Sequence, residues 1–127
     1  MRWAGERDDV RGVALVGSWA RGSAGVDSDV DIVILTDAPS LYLEFDDWAA
    51  ELDVAGFIGL RNWGALTERR AITSTNIEVE FGITTPAWAS VDPVDDGTRR
   101  VVRDGIRILY DPAGSLDRLV RVCTLSP

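Results

Sequence analysis

The chain has 127 residues, with 21 acidic residues against 13 basic ones and no histidine, so its net charge at pH 7 is -8. Its length and its 46% hydrophobic fraction are sufficient for one packed core, and we expect a single domain over residues 1–127. The negative charge makes nucleic acid a poor candidate for a partner, and the lack of histidine excludes the usual general base and the usual zinc ligand.

Two further features predict where the protein works. No stretch is apolar over the length that a bilayer requires, and residues 1–6 are too polar for a signal peptide. The single cysteine, Cys123, cannot form an internal disulfide, which is typical of a reducing compartment, and we expect its side chain to be buried. We therefore predict a cytoplasmic protein that makes no membrane contact.

The first predicted elements are two strands on either side of a glycine turn. The charged residues 6–11 are predicted to end a helix that leads into the first strand, an apolar run over residues 12–16. Gly17 and Ser18 follow as a turn. Residues 29–35 begin with strict alternation and finish as a β-branched run, which predicts a second strand that becomes buried on both sides.

The next segment has the spacing of an amphipathic helix. Ser40 is a suitable N-cap, and residues 41–52 are predicted to form one helix that covers the sheet. The apolar residues that share its predicted inner face are Leu41, Phe45, Trp48 and Leu52. Trp48 is accordingly interpreted as a core residue rather than as a platform for base stacking.

A hairpin is predicted next. Residues 63–72 and 77–83 have strand-like composition, and residues 73–76 have the polar chemistry of a turn. The second strand alternates cleanly, with Glu78 and Glu80 on its polar face. Arg69 and Arg70 precede the turn and could neutralise phosphate charge, although a solvated hairpin edge is the simpler account of at least one of them.

The remaining residues predict a short helix or turn over residues 98–104, a last strand over residues 106–110 and a C-terminal helix over residues 116–123. Trp63 and Trp88 stand near polar segments and could line a pocket, but we expect them to pack in the core or on the hairpin. The sequence contains no internal repeat, linker or low-complexity tract.

The residues that indicate chemistry surround the glycine turn. Asp29 and Asp31 open the second predicted strand, and residues two apart in a strand point to the same face about 6 to 7 Å from each other. Two such carboxylates can bracket divalent cations, and carboxylates are the ligands that Mg²⁺ prefers. Because their strand continues into a buried run, a chance pair on a surface strand is the weaker interpretation.

The turn itself supplies groups that suit a phosphate. Gly17 allows the backbone to approach a ligand closely, and N–H groups at the start of a helical turn bind phosphate oxygens. The hydroxyl of Ser18 adds a donor, and Arg21 could reach a phosphate. Together with the two aspartates, these groups indicate phosphoryl chemistry on a nucleotide.

The run Gly-Ser-Trp-Ala-Arg-Gly at residues 17–22, followed by Ser-Asp-Val-Asp-Ile at residues 28–32, resembles the signature of the DNA polymerase beta-like nucleotidyltransferases. The resemblance is to the minimal bacterial members and to the aminoglycoside nucleotidyltransferases in particular. It implies an α+β, two-layer fold with a palm-like mixed sheet of about four to five strands and helices on one face. It also implies that four residues bind the nucleotide: Gly17, Ser18, Arg21 and Ser28.

The same resemblance implies a third carboxylate on a neighbouring strand, and this sequence offers two candidates. The family's spacing slightly favours Glu78 as a metal ligand with Asp29 and Asp31, which leaves Glu80 as a possible general base for an acceptor hydroxyl. The two assignments could be reversed. All four acidic residues are thus candidates for the catalytic site.

The implied reaction moves a nucleoside monophosphate, AMP from ATP or the equivalent from another nucleoside triphosphate, to a hydroxyl group, with Mg²⁺ or Mn²⁺ as cofactor. The acceptor would be a small molecule such as an aminoglycoside, which would confer antibiotic resistance, or a partner protein. A homodimer or a helical partner protein could complete the acceptor site. The alternative is a binding module, such as the antitoxin of a toxin-antitoxin pair, that acts by covering a helical partner.

Overall fold

The computed structural model describes residues 1–25 and 29–125, and these residues form an open sheet with helices packed on it. The six strands of the described part are β1 (Val10–Val16), β2 (Val30–Thr36), β3 (Val54–Asn62), β4 (Thr67–Thr73), β5 (Glu78–Thr84) and β6 (Ile106–Tyr110). The α-helices are α1 (Arg2–Gly5), α2 (Ser18–Arg21), α3 (Ser40–Leu43), α4 (Asp96–Asp104) and α5 (Ser115–Leu125). Two 3₁₀ helices cover Asp47–Ala49 and Pro86–Ala89.

The strand order decides which residues can meet. The order across the sheet is β3-β4-β5-β2-β1-β6, and β2 runs parallel to β5 while the other neighbours are antiparallel. The beginning of β2, the beginning of β5 and the end of β1 therefore lie at the same edge of the sheet. That edge carries the glycine turn and the acidic residues singled out by the sequence.

One face of the sheet is covered by α1, α3 and the first 3₁₀ helix. Trp48 is the centre of this layer, with its ring centroid 5.0 Å from that of Phe81 and 5.3 Å from that of Tyr42. The indole N–H of Trp3 donates to the carbonyl oxygen of Trp48 at 2.8 Å, so the buried polar atom of the large side chain is satisfied. The prediction that Trp48 belongs to the core is confirmed.

The opposite face is covered by α4, α5 and the second 3₁₀ helix. Leu116 and Leu119 of α5 are fully buried against the inner strands, together with Trp88 and Cys123. The burial predicted for Cys123 is thus confirmed. The sheet has helices on both faces, so the expectation of helices on one face and of only four to five strands is wrong.

The strand omitted from the prediction is β3. Its sequence contains Gly56 and Gly59, and six of its nine residues are exposed because it is the outermost strand beside β4. An edge strand with glycines and little burial has no alternating pattern to detect. The hairpin of β4 and β5, the last strand β6 and the helices α4 and α5 are confirmed.

Two predicted helices differ from the structure. Residues 6–11 are not helical, because the side chain of Asp9 accepts hydrogen bonds from Thr36 Oγ1 at 2.7 Å and from Tyr42 Oη at 2.6 Å and so ties the entry of β1 to β2 and α3. Burial opposes ionisation of Asp9, but these two hydrogen bonds, together with a backbone hydrogen bond and the charge of Arg7, outweigh it and lower the pKa of the carboxyl below its usual value.

The predicted helix over residues 41–52 is also wrong in length. It divides into α3 and the first 3₁₀ helix, and Phe45 between them is 54% exposed. The carbonyl oxygen of Phe45 accepts hydrogen bonds from the indole of Trp48 at 2.8 Å and from Arg69 Nη1 at 2.9 Å. The backbone at the break is therefore satisfied by side chains, where a continuous helix would have used its own N–H groups.

Candidate active site

The pairing of β2 with β5 places two predicted site residues side by side. Asp31 and Glu80 are register partners in the parallel ladder, and their carboxyl groups share a hydrogen bond. Asp29 lies just before β2, exposed to solvent, and its negative charge acts on Asp31. All four predicted acidic residues thus lie at this edge of the sheet, and it is Glu80 rather than Glu78 that interacts directly with Asp31.

Glu78 is the first residue of β5, two residues before Glu80, and it lies opposite Ile72 of β4. Its carboxylate is 3.7 Å from Arg70 Nη1. Arg70 also contacts Glu80, with Nη2 donating to Oε1 at 2.6 Å, and it lies 3.7 Å from Glu68. The guanidinium therefore partly neutralises three carboxylates of the sheet.

Glu68 is a member of this cluster that the sequence did not indicate. It lies on β4 next to Gly82 of β5, and its carboxyl interacts with that of Glu80. Burial and the charge of Glu80 raise its pKa. No local pattern marks Glu68, because it reaches the cluster only through the pairing of β4 with β5.

Burial raises the pKa of Asp31 to about 7, and the hydrogen bond with Glu80 and the charges of Glu80, Asp29 and Glu68 act in the same direction. The pKa of Glu80 is lowered, first by the hydrogen bond that Asp31 donates to it, and burial opposes this. The pair therefore keeps one proton up to near neutral pH, because two adjacent carboxylates cannot both ionise without cost.

Gly17 packs directly on this pair. Its backbone has φ 74° and ψ -153°, a combination that essentially only glycine adopts. A Cβ at this position would collide with Oδ2 of Asp31. Glycine is thus required twice, for the shape of the turn and for the approach of the turn to the acidic pair.

Ser18 begins α2 directly after Gly17. Arg21 ends α2 and forms an ion pair with Asp104, with Nη1 2.8 Å from Oδ2, rather than pointing at the carboxylates. Ser28, the fourth residue predicted to bind the nucleotide, lies outside the described residues. Of the residues predicted to bind the nucleotide, the structure therefore places Gly17 against Asp31, with Ser18 next to it in the chain, and pairs Arg21 with Asp104 of α4.

The two arginines of β4 have different roles. Neither lies at a solvated hairpin edge, because β3 covers β4. Arg69 is on the other face of the sheet, where Nη1 donates to the carbonyl oxygens of Tyr42 and Phe45, each at 2.9 Å, and its guanidinium carbon lies 3.6 Å from the ring centroid of Phe57. Arg69 is therefore structural, and Arg70 faces the site.

The donor set suits a hard divalent cation. Asp29, Asp31 and Glu80 supply only carboxylate oxygens, and a cation would relieve the repulsion that raises the pKa of Asp31. Within residues 1–25 and 29–125, no three acidic, histidine or cysteine side chains are arranged as a ready metal-binding group. The carboxyl groups of Asp31 and Glu80 must lose their shared proton and separate before both can act as ligands.

A family model described as a nucleotidyltransferase domain matches residues 3–80. The chain belongs to the nucleotidyltransferase domain family. The matched part contains the glycine turn, both aspartates and both glutamates of β5, so the family assignment and the geometry concern the same residues. No curated protein matches the chain significantly.

Membership of this nucleotidyltransferase family implies transfer of a nucleotidyl group, with a nucleoside triphosphate as substrate. The match ends at Glu80, within β5. The remainder of the nucleotidyltransferase, including α4, β6 and α5, packs on the same sheet. None of its helices within the described ranges is long and apolar enough to cross a membrane.

Replacement of Gly17 tests the contact between the turn and the acidic pair. We expect Gly17→Ala to lower the free energy of unfolding by about 3 kcal/mol, because backbone strain and the collision with Asp31 act together. Gly22→Ala is the comparison variant, since Gly22 also has a positive φ, 73°, but lies in the milder left-handed α region with ψ 17° and has open space around an added Cβ. It should lose only about 1 kcal/mol. Urea denaturation measures both, and equal losses would contradict the contact.

The pH dependence of stability tests the acidic pair. The raised pKa of Asp31 means that the unfolded chain releases this proton near pH 4 while the folded protein keeps it to about pH 7, so the wild type loses stability as pH rises between these values. Asp31→Asn has no such loss, and its amide can still donate to Glu80. At pH 8 we expect it to be more stable than the wild type by about 1 to 2 kcal/mol, a value reduced for the partial exposure of the side chain.

The advantage of Asp31→Asn should disappear near pH 4, where the wild-type carboxyl is protonated in both states. Asp8→Asn removes an exposed carboxylate at the other end of β1 and should show no comparable pH-dependent gain. Thermal unfolding at pH 4, 6 and 8 measures all three proteins. A variant that is no more stable than the wild type at pH 8, or equally stabilised at pH 4, would show that Asp31 is not protonated in the folded protein.

Proposed function

We propose that the chain is a divalent-metal-dependent nucleotidyltransferase, which moves a nucleoside monophosphate from ATP or another nucleoside triphosphate to a hydroxyl group. The observation that carries the proposal is the meeting of Asp31 with Glu80 across two parallel strands, directly beside the turn at Gly17. We further propose that the whole chain acts as one domain, since β6 pairs with β1 and α5 packs on the same sheet.

Glu80 is the third carboxylate in this proposal, with Asp29 and Asp31. Contact with Asp31 supports it over Glu78, which the family's spacing slightly favoured. Glu78 then becomes the candidate base for the acceptor hydroxyl, the reverse of the assignment that the spacing favoured. Mg²⁺ or Mn²⁺ held by Asp29, Asp31 and Glu80 would lower the pKa of the acceptor hydroxyl and neutralise charge on the triphosphate.

The remaining residues bind and orient the substrate. The backbone at Gly17 can approach the phosphates closely, and the N–H group and hydroxyl of Ser18 can donate to them. Arg70 provides positive charge beside the carboxylates, and Arg21 would contribute to phosphate binding only by leaving Asp104. The acceptor oxygen forms a bond to the α-phosphorus, the bond to the pyrophosphate oxygen breaks, and the acceptor's proton passes to the base.

The acceptor proposed is a cationic small molecule of the aminoglycoside type or a hydroxyl on a partner protein. The net charge of -8 and the acidic cluster at the site favour a cationic acceptor. Transfer to an aminoglycoside would make the protein an antibiotic-resistance enzyme. A homodimer or a helical partner protein could supply further acceptor contacts.

A second candidate function is that of an antitoxin-type binding module that covers a helical partner, with or without catalysis. Exposed apolar side chains favour it, since Ile58 and Leu60 of the edge strand β3 are 53% and 68% exposed and Trp63 next to it is 60% exposed. Apolar groups that gather on a surface mark sites of protein interaction. The carboxylates favour the enzyme, because a pure binder gains nothing from acidic side chains that repel one another.

Calorimetric titration with ATP tests the enzyme. We expect ATP to bind in the presence of Mg²⁺ and much more weakly in EDTA, because the cation links the carboxylates to the phosphates. Affinity should fall at least tenfold, about 1.4 kcal/mol, in Asp29→Asn/Asp31→Asn and in Glu80→Gln. Titrations with GTP, CTP and UTP establish which nucleotide is preferred.

Glu78→Gln is the matched control, because it removes the same charge from the same strand two residues away. It should bind Mg²⁺ and ATP nearly as the wild type does. Equal losses in Glu78→Gln and Glu80→Gln would contradict the assignment of the third carboxylate. Wild-type protein that binds no nucleoside triphosphate would reject the enzyme and leave the binding module.

A further inference from the structure

Arg70 is in direct contact with one of the proposed metal ligands. Its Nη2 donates to Oε1 of Glu80 at 2.6 Å, the short distance of a charge-assisted hydrogen bond. Arg70 thus already supplies beside Glu80 the positive charge that a divalent cation would bring. Two positive charges at adjacent positions repel each other, so the guanidinium must move before Glu80 can serve fully as a metal ligand.

Two other carboxylates lie just beyond hydrogen-bond distance of the same guanidinium. Nη1 of Arg70 is 3.7 Å from Oε2 of Glu78, and Nη2 is 3.7 Å from Oε2 of Glu68. These distances are those of ion pairs without a hydrogen bond. A small movement of the side chain would therefore exchange the hydrogen bond to Glu80 for one to Glu68, and the charge of Arg70 would stay balanced.

The structure leaves room for that movement. A cavity of about 190 Å³ lies between β3 and β4, lined by Arg70 and Glu68 of β4 and by residues 58–61 of β3. Gly59 is the register partner of Arg70, and a Cβ added there would lie 3.7 Å from the Cβ of Arg70, so the glycine keeps this side of the cavity open. The side chain of Arg70 is also 37% exposed, and packing does not hold it in one position.

Glu68 is suited to receive the guanidinium. It lies two residues before Arg70 on β4, and residues two apart in a strand share a face of the sheet. Its side chain is only 15% exposed, so water compensates its charge poorly and a closer cation would stabilise it. The backbone of β4 is paired on both sides, by β3 and by β5, which confines the exchange to the side chains.

We propose that Arg70 is a positioning residue that competes with the divalent cation for Glu80 and moves to Glu68 when the cation binds. The inference rests on the proposed function, since it requires the metal site at Asp29, Asp31 and Glu80. Arg70 then stabilises the carboxylates of the metal-free protein and weakens binding of the cation alone. The cation binds best together with a nucleoside triphosphate, because the phosphate oxygens add ligands that offset the displacement of Arg70.

Titration with Mn²⁺ in the absence of nucleotide tests the competition. Calorimetry under nitrogen at pH 8.5 is suitable, because the pKa of Asp31 is about 7 and the shared proton contributes little there. We expect Arg70→Gln to bind Mn²⁺ about fivefold more tightly than the wild type, the effect of removing one partly exposed charge pair. Most substitutions beside a metal site weaken binding, so this direction is distinctive.

Arg61→Gln is the matched control. It removes the same charge from β3, where Arg61 lies opposite Glu68 and its guanidinium carbon is 5.0 Å from the ring centroid of Trp63. It should change the affinity for Mn²⁺ by less than about twofold, because partly exposed charges that are not in contact interact weakly. An equal gain in Arg61→Gln and Arg70→Gln would reduce the effect to net charge and overturn the proposal.

Thermal unfolding supplies a second measurement. In EDTA we expect Arg70→Gln to be less stable than the wild type, and Mn²⁺ should raise its melting temperature by more. A residue needed only for folding would lower the stability without this larger Mn²⁺-induced rise. If Arg70→Gln does not fold, Arg70→Lys keeps the charge but lacks the planar fork, and it should bind Mn²⁺ about twofold more tightly than the wild type.

A double-mutant cycle tests the movement to Glu68. Glu68→Gln should weaken Mn²⁺ binding more in the wild type than in Arg70→Gln, because in the wild type it also removes the group that receives Arg70. Equal losses in the two backgrounds would overturn this movement.

The Mn²⁺ titration also separates this proposal from the proposed function. A wild type that binds Mn²⁺, with an Arg70→Gln that binds it no more tightly, would overturn the role of Arg70 and leave the metal site intact. Absence of Mn²⁺ binding in both proteins, with and without ATP, would overturn the proposed function and this inference together.

Discussion

The parallel pairing of β2 with β5 is the constraint on which the site depends. It sets Asp31 beside Glu80 at the edge of the sheet where β1 ends and the glycine turn begins. Two carboxyl groups held so close would repel each other if both were ionised, so the pair keeps a proton and Arg70 partly neutralises Glu80. The two carboxyl groups thus stabilise the fold less than a neutral pair would, and a bound cation would reduce the repulsion between them.

Antiparallel pairing places the other residues of the site at this edge of the sheet. β4 adds Glu68 and Arg70 from one side, and β1 adds Gly17 from the other. Gly17 lies so close to Asp31 that any larger residue would displace the carboxyl or the turn. The glycine turn and the acidic cluster are therefore positioned by the same set of hydrogen-bonded strands.

The sequence predicts the parts of this unit that depend on local pattern. The strands β1 and β2, the hairpin of β4 and β5, and α5 follow from alternation and turn chemistry, and the aspartates follow from a motif. The choice between Glu78 and Glu80 could not be made in this way, because it depends on the register between strands that are far apart in the chain. Glu68 and the role of Arg69 were missed for the same reason, and β3 because exposed glycine-rich strands lack a pattern.

The predicted helix over residues 41–52 is an error of a different kind, because here the local pattern is present but the continuous helix is not. Its apolar spacing is good, and Trp48 is in the core, but the carbonyl oxygen of Phe45 accepts from the side chains of Trp48 and of Arg69 on β4, and the helix is broken there. Tertiary hydrogen bonds can override a periodic pattern when the helix is short, because a few residues of helix add little stability of their own.

The most direct test of the account is the number of protons released when Mn²⁺ alone binds, measured by calorimetry at pH 6.5 in buffers of different ionisation enthalpy. If Asp31 and Glu80 share a proton that the cation must displace, the wild type releases about one proton for each Mn²⁺ bound. The release should fall as the pH is raised above 8, and it should be absent in Asp31→Asn. Mn²⁺ that binds at pH 6.5 without proton release, or no binding of Mn²⁺, would contradict the account.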